Sequence, residues 1–268
     1  MPLELPQYCE LIEYTKMVIK GYANSLFVIG SHGIGKTYNI IKTLKETKTE
    51  YVYRAGKITP LSLYRLFHDF NGKIFFLDDT LSIIRSPDCI SVLYAACWSP
   101  EDKRVITWNS SRLPEELEPE FEFNGRIIFS LNKIPENEMI ETLLSRCLTY
   151  RLNLKYDDII QIMEYIAKQR HEQLKPEERL EIVNFIKENS DESYPVDLRL
   201  QQKAELMYLY DKESWKFLLL PQLKAKDRNL LVLKTIVDTE TDKKKQIKKF
   251  NEITGLGVSS FYRYRGRI

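Results

Sequence analysis

The residues best equipped for chemistry are Gly30 to Thr37, reading G-S-H-G-I-G-K-T, directly after the apolar run Leu26, Phe27, Val28 and Ile29. Gly30, Gly33 and Gly35 let the backbone turn tightly and aim its N–H groups inward. An anion held there also feels the positive end of the helix that follows. The spacing G-x-x-x-x-G-K-[ST] lies between a buried strand and the helical pattern Tyr38, Ile40, Ile41 and Leu44. It predicts a cradle for a nucleotide's phosphate chain, with Ser31, His32, Ile34 and Tyr38 completing the lining around Gly30, Gly33 and Gly35. Lys36 is expected to reach the β- and γ-phosphates and Thr37 to hold Mg²⁺. An ordinary strand-turn-helix is the competing explanation, and it does not call for all four fixed positions to be filled.

A second group lies 42 residues beyond Lys36, where Ile74-Phe75-Phe76-Leu77 runs into Asp78-Asp79. A continuous apolar run is the mark of a strand buried on both faces, and in open α/β sheets ligands bind beyond the carboxyl ends of such strands. Asp78 is therefore expected to hold Mg²⁺, directly or through water, and Asp79 to polarise an attacking water. Another apolar strand, Arg126 to Leu131, ends on Asn132, whose amide could orient that water. Asparagine at a strand tip also serves turns, so Asn132 alone carries little weight.

These groups need a parallel sheet to bring them together, and the rest of the chain supplies one. Tyr51 to Tyr53 reads as a strand, Thr59-Pro60 opens a helix that ends near Asn71-Gly72, and Ser82 to Trp98 reads as one further helix. Arg104 to Trp108 and Glu120 to Phe123 suggest two strands joined by a polar stretch, Asn109 to Pro119. A last strand, Leu148 to Leu152, is followed by amphipathic helices from Asp157, over Lys175 to Lys187 and over Val196 to Tyr210, with Pro176 and Pro195 at helix starts. Leu3 to Lys20 reads as an amphipathic lead-in placed to pack over a nucleotide base.

The length of 268 residues and 43% hydrophobic content fit a globular chain with a sizeable core. No apolar run is long enough for a membrane span, and the expected location is the cytoplasm. Cys9, Cys89, Cys97 and Cys147 are scattered, without metal-ligand spacing, and read as reduced core thiols. Net charge is +2 overall, yet residues 241–268 hold eight Lys or Arg against two acids, a local +6. Such a basic end suits a polyanion.

In order and spacing, the nucleotide loop, Asp78-Asp79, Asn132, Ser145-Arg146-Cys147 and Arg199 resemble the AAA+ ATPases, over most of the chain. The resemblance implies an α/β fold, a parallel sheet of order 5-1-4-3-2 with helices on both faces and a small all-helical lid. It gives Asn132 the sensor 1 position and Arg199 the sensor 2 position. The segment Leu144-Ser-Arg-Cys-Leu148 is similar to that of replicative clamp loaders, which implies that Arg146 reaches a neighbouring subunit's nucleotide. The family usually has Asp-Glu where this chain has Asp78-Asp79, one methylene shorter, so slow hydrolysis is expected. The expected domains are residues 1–154, the nucleotide-binding part; 155–225, the lid; and 226–268, a basic tail.

In that tail, Asp242 to Phe250 and Val258 to Tyr264 flank the turn Ile253 to Gly257, a pattern like a helix-turn-helix. Lys244, Lys248, Ser259, Ser260, Tyr262, Arg263 and Arg265 are the expected DNA contacts. A solvated basic tail docking on the acidic body is the alternative, and Asn109, Ser110, Ser111 and Arg112 form a competing DNA site. The function expected is an ATPase using ATP and Mg²⁺, assembled as a ring or filament on DNA in replication, recombination or transposition. The alternative is an ATP-switched adaptor or loader with weak hydrolysis that recruits a helicase or transposase. A protein-remodelling ATPase is disfavoured, because no aromatic pore loop is evident.

Overall fold

The computed structural model describes residues 5–101, 103–110, 113–193, 196–223 and 227–268. The chain divides into two compact units, residues 2–153 and 154–268.

The first unit is built on five parallel strands, β1 (Ser25–Ile29), β2 (Tyr51–Ala55), β3 (Ile74–Asp78), β6 (Arg126–Leu131) and β7 (Leu148–Arg151). Their order is β2-β3-β6-β1-β7, which is the expected 5-1-4-3-2 read from the other edge. The three inner strands are buried along almost their whole length, while β2 and β7, at the edges, each have a single buried residue, Val52 and Tyr150. Burial on both faces explains why β1, β3 and β6 are apolar runs. Helices α1 (Pro6–Ile19), α2 (Lys36–Glu46) and α3 (Pro60–Asp69) accompany the first strands. Thr59 caps α3 by accepting from the Ser62 amide, with Pro60 pre-set for the first turn.

The helix expected over Ser82 to Trp98 is two: α4 (Leu81–Ile84) and α5 (Pro87–Cys97). Pro87 has no N–H to give the preceding turn, so the first helix stops, and Ser86 caps the second by accepting from the Cys89 amide at 3.3 Å. The short strands β4 (Val105–Thr107) and β5 (Glu120–Glu122) pair antiparallel as a separate hairpin. Its inward residues Ile106 and Phe121 join a core with Tyr64, Phe67, Phe75 and Phe123. Ser111 and Arg112, in the connection, lie outside the described residues, as do part of the Leu3 to Lys20 lead-in and Pro195. After β6 comes α6 (Glu138–Leu144), capped by Asn137. Arg126, at the start of β6, donates to the carbonyls of Val18 and Ile19 at 2.8 and 2.6 Å, satisfying the carboxyl end of α1.

The second unit is helical: α7 (Tyr156–Ala167), α8 (Pro176–Glu188), α9 (Leu198–Tyr210), α10 (Trp215–Leu219), α11 (Arg228–Thr239), α12 (Lys243–Thr254) and α13 (Val258–Arg265). Inside α7 to α9, Arg179 and Glu205 meet at 2.8 Å, almost fully buried. Arg179 also donates to the Ile166 carbonyl at 2.6 Å, and Gln201 donates to Glu205 at 3.1 Å. Helix α11, capped by Asp227, has no counterpart among the helices expected from the sequence; α12 and α13 pack on it and on each other, where the buried Phe250 and Phe261 rings are 5.7 Å apart. Of the four cysteines, Cys89 and Cys97 are buried and Cys147 is half-buried, but Cys9 is exposed, so the expectation of core thiols fails there. All four are free.

Candidate nucleotide site

Strands β3, β6 and β1 are neighbours in the sheet, so whatever follows their carboxyl ends is brought together. Asp78 ends β3 opposite Ser130 of β6, the Asp79 amide donates to the Ser130 carbonyl at 2.8 Å, and Asn132 follows β6 directly. The loop Gly30 to Gly35 leaves β1 beside them. It is fastened at both sides, by Gly30 N–H to the Leu131 carbonyl at 3.1 Å and by Leu152 N–H to the Ile29 carbonyl at 2.8 Å.

The three glycines are there for space and for conformation. A Cβ at Gly30 would stand 2.4 Å from the Leu152 carbonyl oxygen, so Gly30 meets a need for room rather than for an unusual turn. Gly33 meets the other need: at the half-buried middle of the loop its φ is +67°, left-handed backbone that glycine adopts without steric cost. Gly35 meets both, with φ +83° and a Cβ that would stand 2.6 Å from the Tyr8 hydroxyl. That hydroxyl donates to the Ile34 carbonyl at 2.8 Å, so α1 braces the loop. Gly35 caps α2, and Lys36 and Thr37 open it.

The Lys36 ammonium is buried in the loop, donating to the carbonyls of Gly30 and Ser31 at 2.6 and 2.7 Å and to Asn132 Oδ1 at 3.1 Å. Asn132 in turn donates through Nδ2 to Asp79 Oδ1 at 3.4 Å. Thr37 Oγ1 lies 3.1 and 3.0 Å from the two Asp78 carboxylate oxygens. Five of the residues singled out in the sequence thus form two linked groups, Lys36–Asn132–Asp79 and Thr37–Asp78. Asp79 has φ +51°, left-handed backbone that aspartate tolerates better than most residues. Ser31, His32 and Tyr38 lie on the open side, with Tyr38 strongly exposed, whereas Ile34 is buried.

One residue of the site escaped the sequence reading. Tyr53 of β2 donates its hydroxyl to Asp78 Oδ2 at 3.2 Å. Burial, and then the charge of Asp78, push its phenol up, so it stays a neutral donor. Only the pairing of β2 with β3, which sets Tyr53 beside Phe76, brings it within reach.

The remaining expected residues lie elsewhere. Arg146 precedes β7, which starts in register with Leu26, so it lies at the amino-terminal end of the sheet, away from the loop. Arg199 is exposed in the first turn of α9, in the other unit. Lys244 and Lys248 are exposed on α12; Ser259, Tyr262, Arg263 and Arg265 are exposed on α13, and Ser260 is half-buried. Gly255, at φ +70°, ends α12 and makes the turn between them. Lys248 lies 3.9 Å from Glu252, and Arg267 is tied to Asp227 at 2.7 Å.

A parallel sheet of this order, with the glycine loop after the inner strand and acids at the tip of its second neighbour, is the AAA+ P-loop fold. The match to solved structures agrees. Two variants of RuvB from Thermotoga maritima, a proline-to-glycine and an alanine-to-serine substitution, superpose with a TM-score of 0.50 each, at 12% and 13% identity. Each comparison covers 97% of this chain, and 81% and 80% of the respective RuvB chains. By sequence the chain is 26% identical over 226 residues to an uncharacterised 36.7 kDa protein encoded between nrdC and mobD in Enterobacteria phage T4. That alignment spans 75% of this chain and 69% of the phage protein. No family model matches. Among the described residues, no helix is long and apolar enough to cross a membrane.

Proposed function

We propose that the chain is an ATPase that works with DNA and assembles with copies of itself. The observation that carries this reading is the convergence of Lys36, Thr37, Asp78, Asp79 and Asn132 at adjoining strand ends, linked by the contacts above. The residues fit a nucleotide: the loop sequence contains no acid, its glycines let the backbone take a tight turn packed against Leu152 and Tyr8, and a buried lysine lies at its base. Thr37 and Asp78, whose oxygens already meet, would hold Mg²⁺. The ion would supply charge neutralisation between the phosphates. Lys36 meets the phosphates as a point charge. Asn132 fixes Lys36 and Asp79 relative to each other, and Asp79 accepts a proton from the attacking water.

DNA association is supported by charge and shape. The net +6 of residues 241–268 is folded into α12, a glycine turn and α13, with Tyr262, Arg263 and Arg265 exposed. The hairpin is a weaker competitor: five glutamates between residues 115 and 122 follow Asn109 to Arg112 in the sequence and repel phosphate. Arg199, in the helical unit, is assigned to sensing the nucleotide, and Arg146 to a neighbouring copy's site. The process served is replication, recombination or transposition.

A second reading is favoured by Asp79 itself, a short carboxylate on left-handed backbone and held by Asn132. In this version ATP acts as a switch for recruiting a partner such as a helicase or transposase. ATP turnover measured with and without DNA separates the two. Stimulation by DNA supports the ATPase reading, tight binding with negligible turnover supports the switch, and no ATP binding refutes both.

A further inference from the structure

Arg146 cannot serve the nucleotide loop of its own chain. Leu148 is in register with Leu26, and Arg151 with Ile29, so Arg146 lies level with the residues before β1, while the loop begins after its end. At roughly 3.3 Å per residue the two are about 15 to 20 Å apart along the sheet, beyond the span of an arginine side chain. Among the described residues its guanidinium has no ion pair and no hydrogen bond. It lies instead over two rings, 4.8 Å from the centre of Tyr94 and 5.3 Å from that of Trp98.

Those rings are placed to hold it. Tyr94 lies in the last turn of α5 and Trp98 directly follows the helix, its N–H donating to the Tyr94 carbonyl at 3.3 Å, and both rings meet the same guanidinium. The Tyr94 hydroxyl donates to the Met139 carbonyl at 2.6 Å, fixing the ring against α6. Trp98 is 46% exposed and Met139 36%. An arginine stacked on aromatic rings keeps all its N–H donors free for an anion, and Trp, Tyr and Arg are the side chains that dominate binding energy at interfaces.

We propose that Tyr94 and Trp98 are positioning residues for Arg146, holding its guanidinium outward for the phosphates bound in the loop of a second copy of this chain. The inference rests on the ATPase reading, which supplies the anion. It adds the aromatic pair, without which Arg146 is a flexible surface cation that must lose its rotamer freedom on every encounter.

The test uses the full chain and measures ATP turnover against protein concentration, ATP affinity and DNA affinity. Trp98→Ala is expected to lower turnover about tenfold at saturating protein with ATP and DNA affinities within about twofold of the parent; Trp98→Phe, which keeps a ring, recovers most of it. Mixing gives the sharper readout. A Lys36→Ala subunit has no working loop but an intact Arg146 with both rings, so added to Trp98→Ala it should restore turnover at the latter's sites. A purely structural role for Trp98 would not be rescued this way. If Arg146→Ala itself leaves turnover unchanged, the assembly reading fails. The inference alone fails if Arg146→Ala is impaired but Trp98→Ala is not, or if the mixture stays inactive. It also fails if Trp98→Ala chiefly loses DNA affinity, which would make the patch a DNA contact.

Discussion

At the scale of single residues, the site is a set of charges held by partners that can be removed one at a time. Asp78→Asn keeps the shape but takes away the negative charge facing Thr37, so Mg²⁺-dependent ATP binding should weaken while Mg²⁺-free binding changes little. Asp79→Asn should leave binding intact and lower turnover by about a hundred-fold or more, as expected when a positioned base is lost, on the order of 10² to 10⁴. Turnover equal to the parent's in both variants would show that neither carboxylate has the role given to it. Gly35→Ala is a test of the loop rather than of the chemistry. Its φ of +83° and the 2.6 Å approach to the Tyr8 hydroxyl should cost about 1 to 3 kcal/mol and loosen the brace from α1. Thermal unfolding would register that as a clear drop in midpoint, and an unchanged midpoint would mean the loop relaxes freely. The loop residues were legible in the sequence because their geometry is local: a strand, the glycines Gly30, Gly33 and Gly35, and a helix start within a dozen positions. Tyr53 was not, because its bond to Asp78 depends on which strands pair and in what register.

Among the elements, the buried ion pair and the basic helices offer the cleanest tests. Glu205→Ala strands Arg179 in the core of α7 to α9, leaving Gln201 short of an acceptor as well, and should destabilise by about 3 to 5 kcal/mol in denaturant titration. A loss under about 1 kcal/mol would mean the arginine finds water. For α12 and α13, ending the chain at Glu240 would also strip the cover from α11, so charge substitutions are the better probe. Replacing Lys244, Lys248, Arg263 and Arg265 together with glutamine keeps Phe250 and Phe261 packed. The slope of log DNA affinity against log salt should then flatten by about 0.9 for each lost phosphate contact. An unchanged slope would turn attention to the hairpin. The sheet strands were readable as apolar runs since both of their faces are buried. The division of α4 from α5 follows from Pro87, a signal present in the chain but outweighed by the apolar pattern on either side of it. Helix α11 carries apolar side chains at Leu231, Val232, Leu233 and Ile236, yet its inward face takes meaning only once α12 and α13 lie on it.

At the scale of the whole molecule, one unit carries the proposed nucleotide site and the other the basic end, and the proposed assembly joins copies through Arg146 and its rings. The catalytic and assembly roles both depend on the loop holding ATP with Mg²⁺. Calorimetric titration of ATP into the full chain, with and without Mg²⁺ and in parallel with Lys36→Ala, tests this most directly. The account predicts saturable binding near one nucleotide per chain, tighter with Mg²⁺, and weakened at least about a hundred-fold when the Lys36 charge, buried among the Gly30 and Ser31 carbonyls and Asn132, is removed. Equal affinity in the parent and the variant, or no binding by either with Mg²⁺ present, would contradict it.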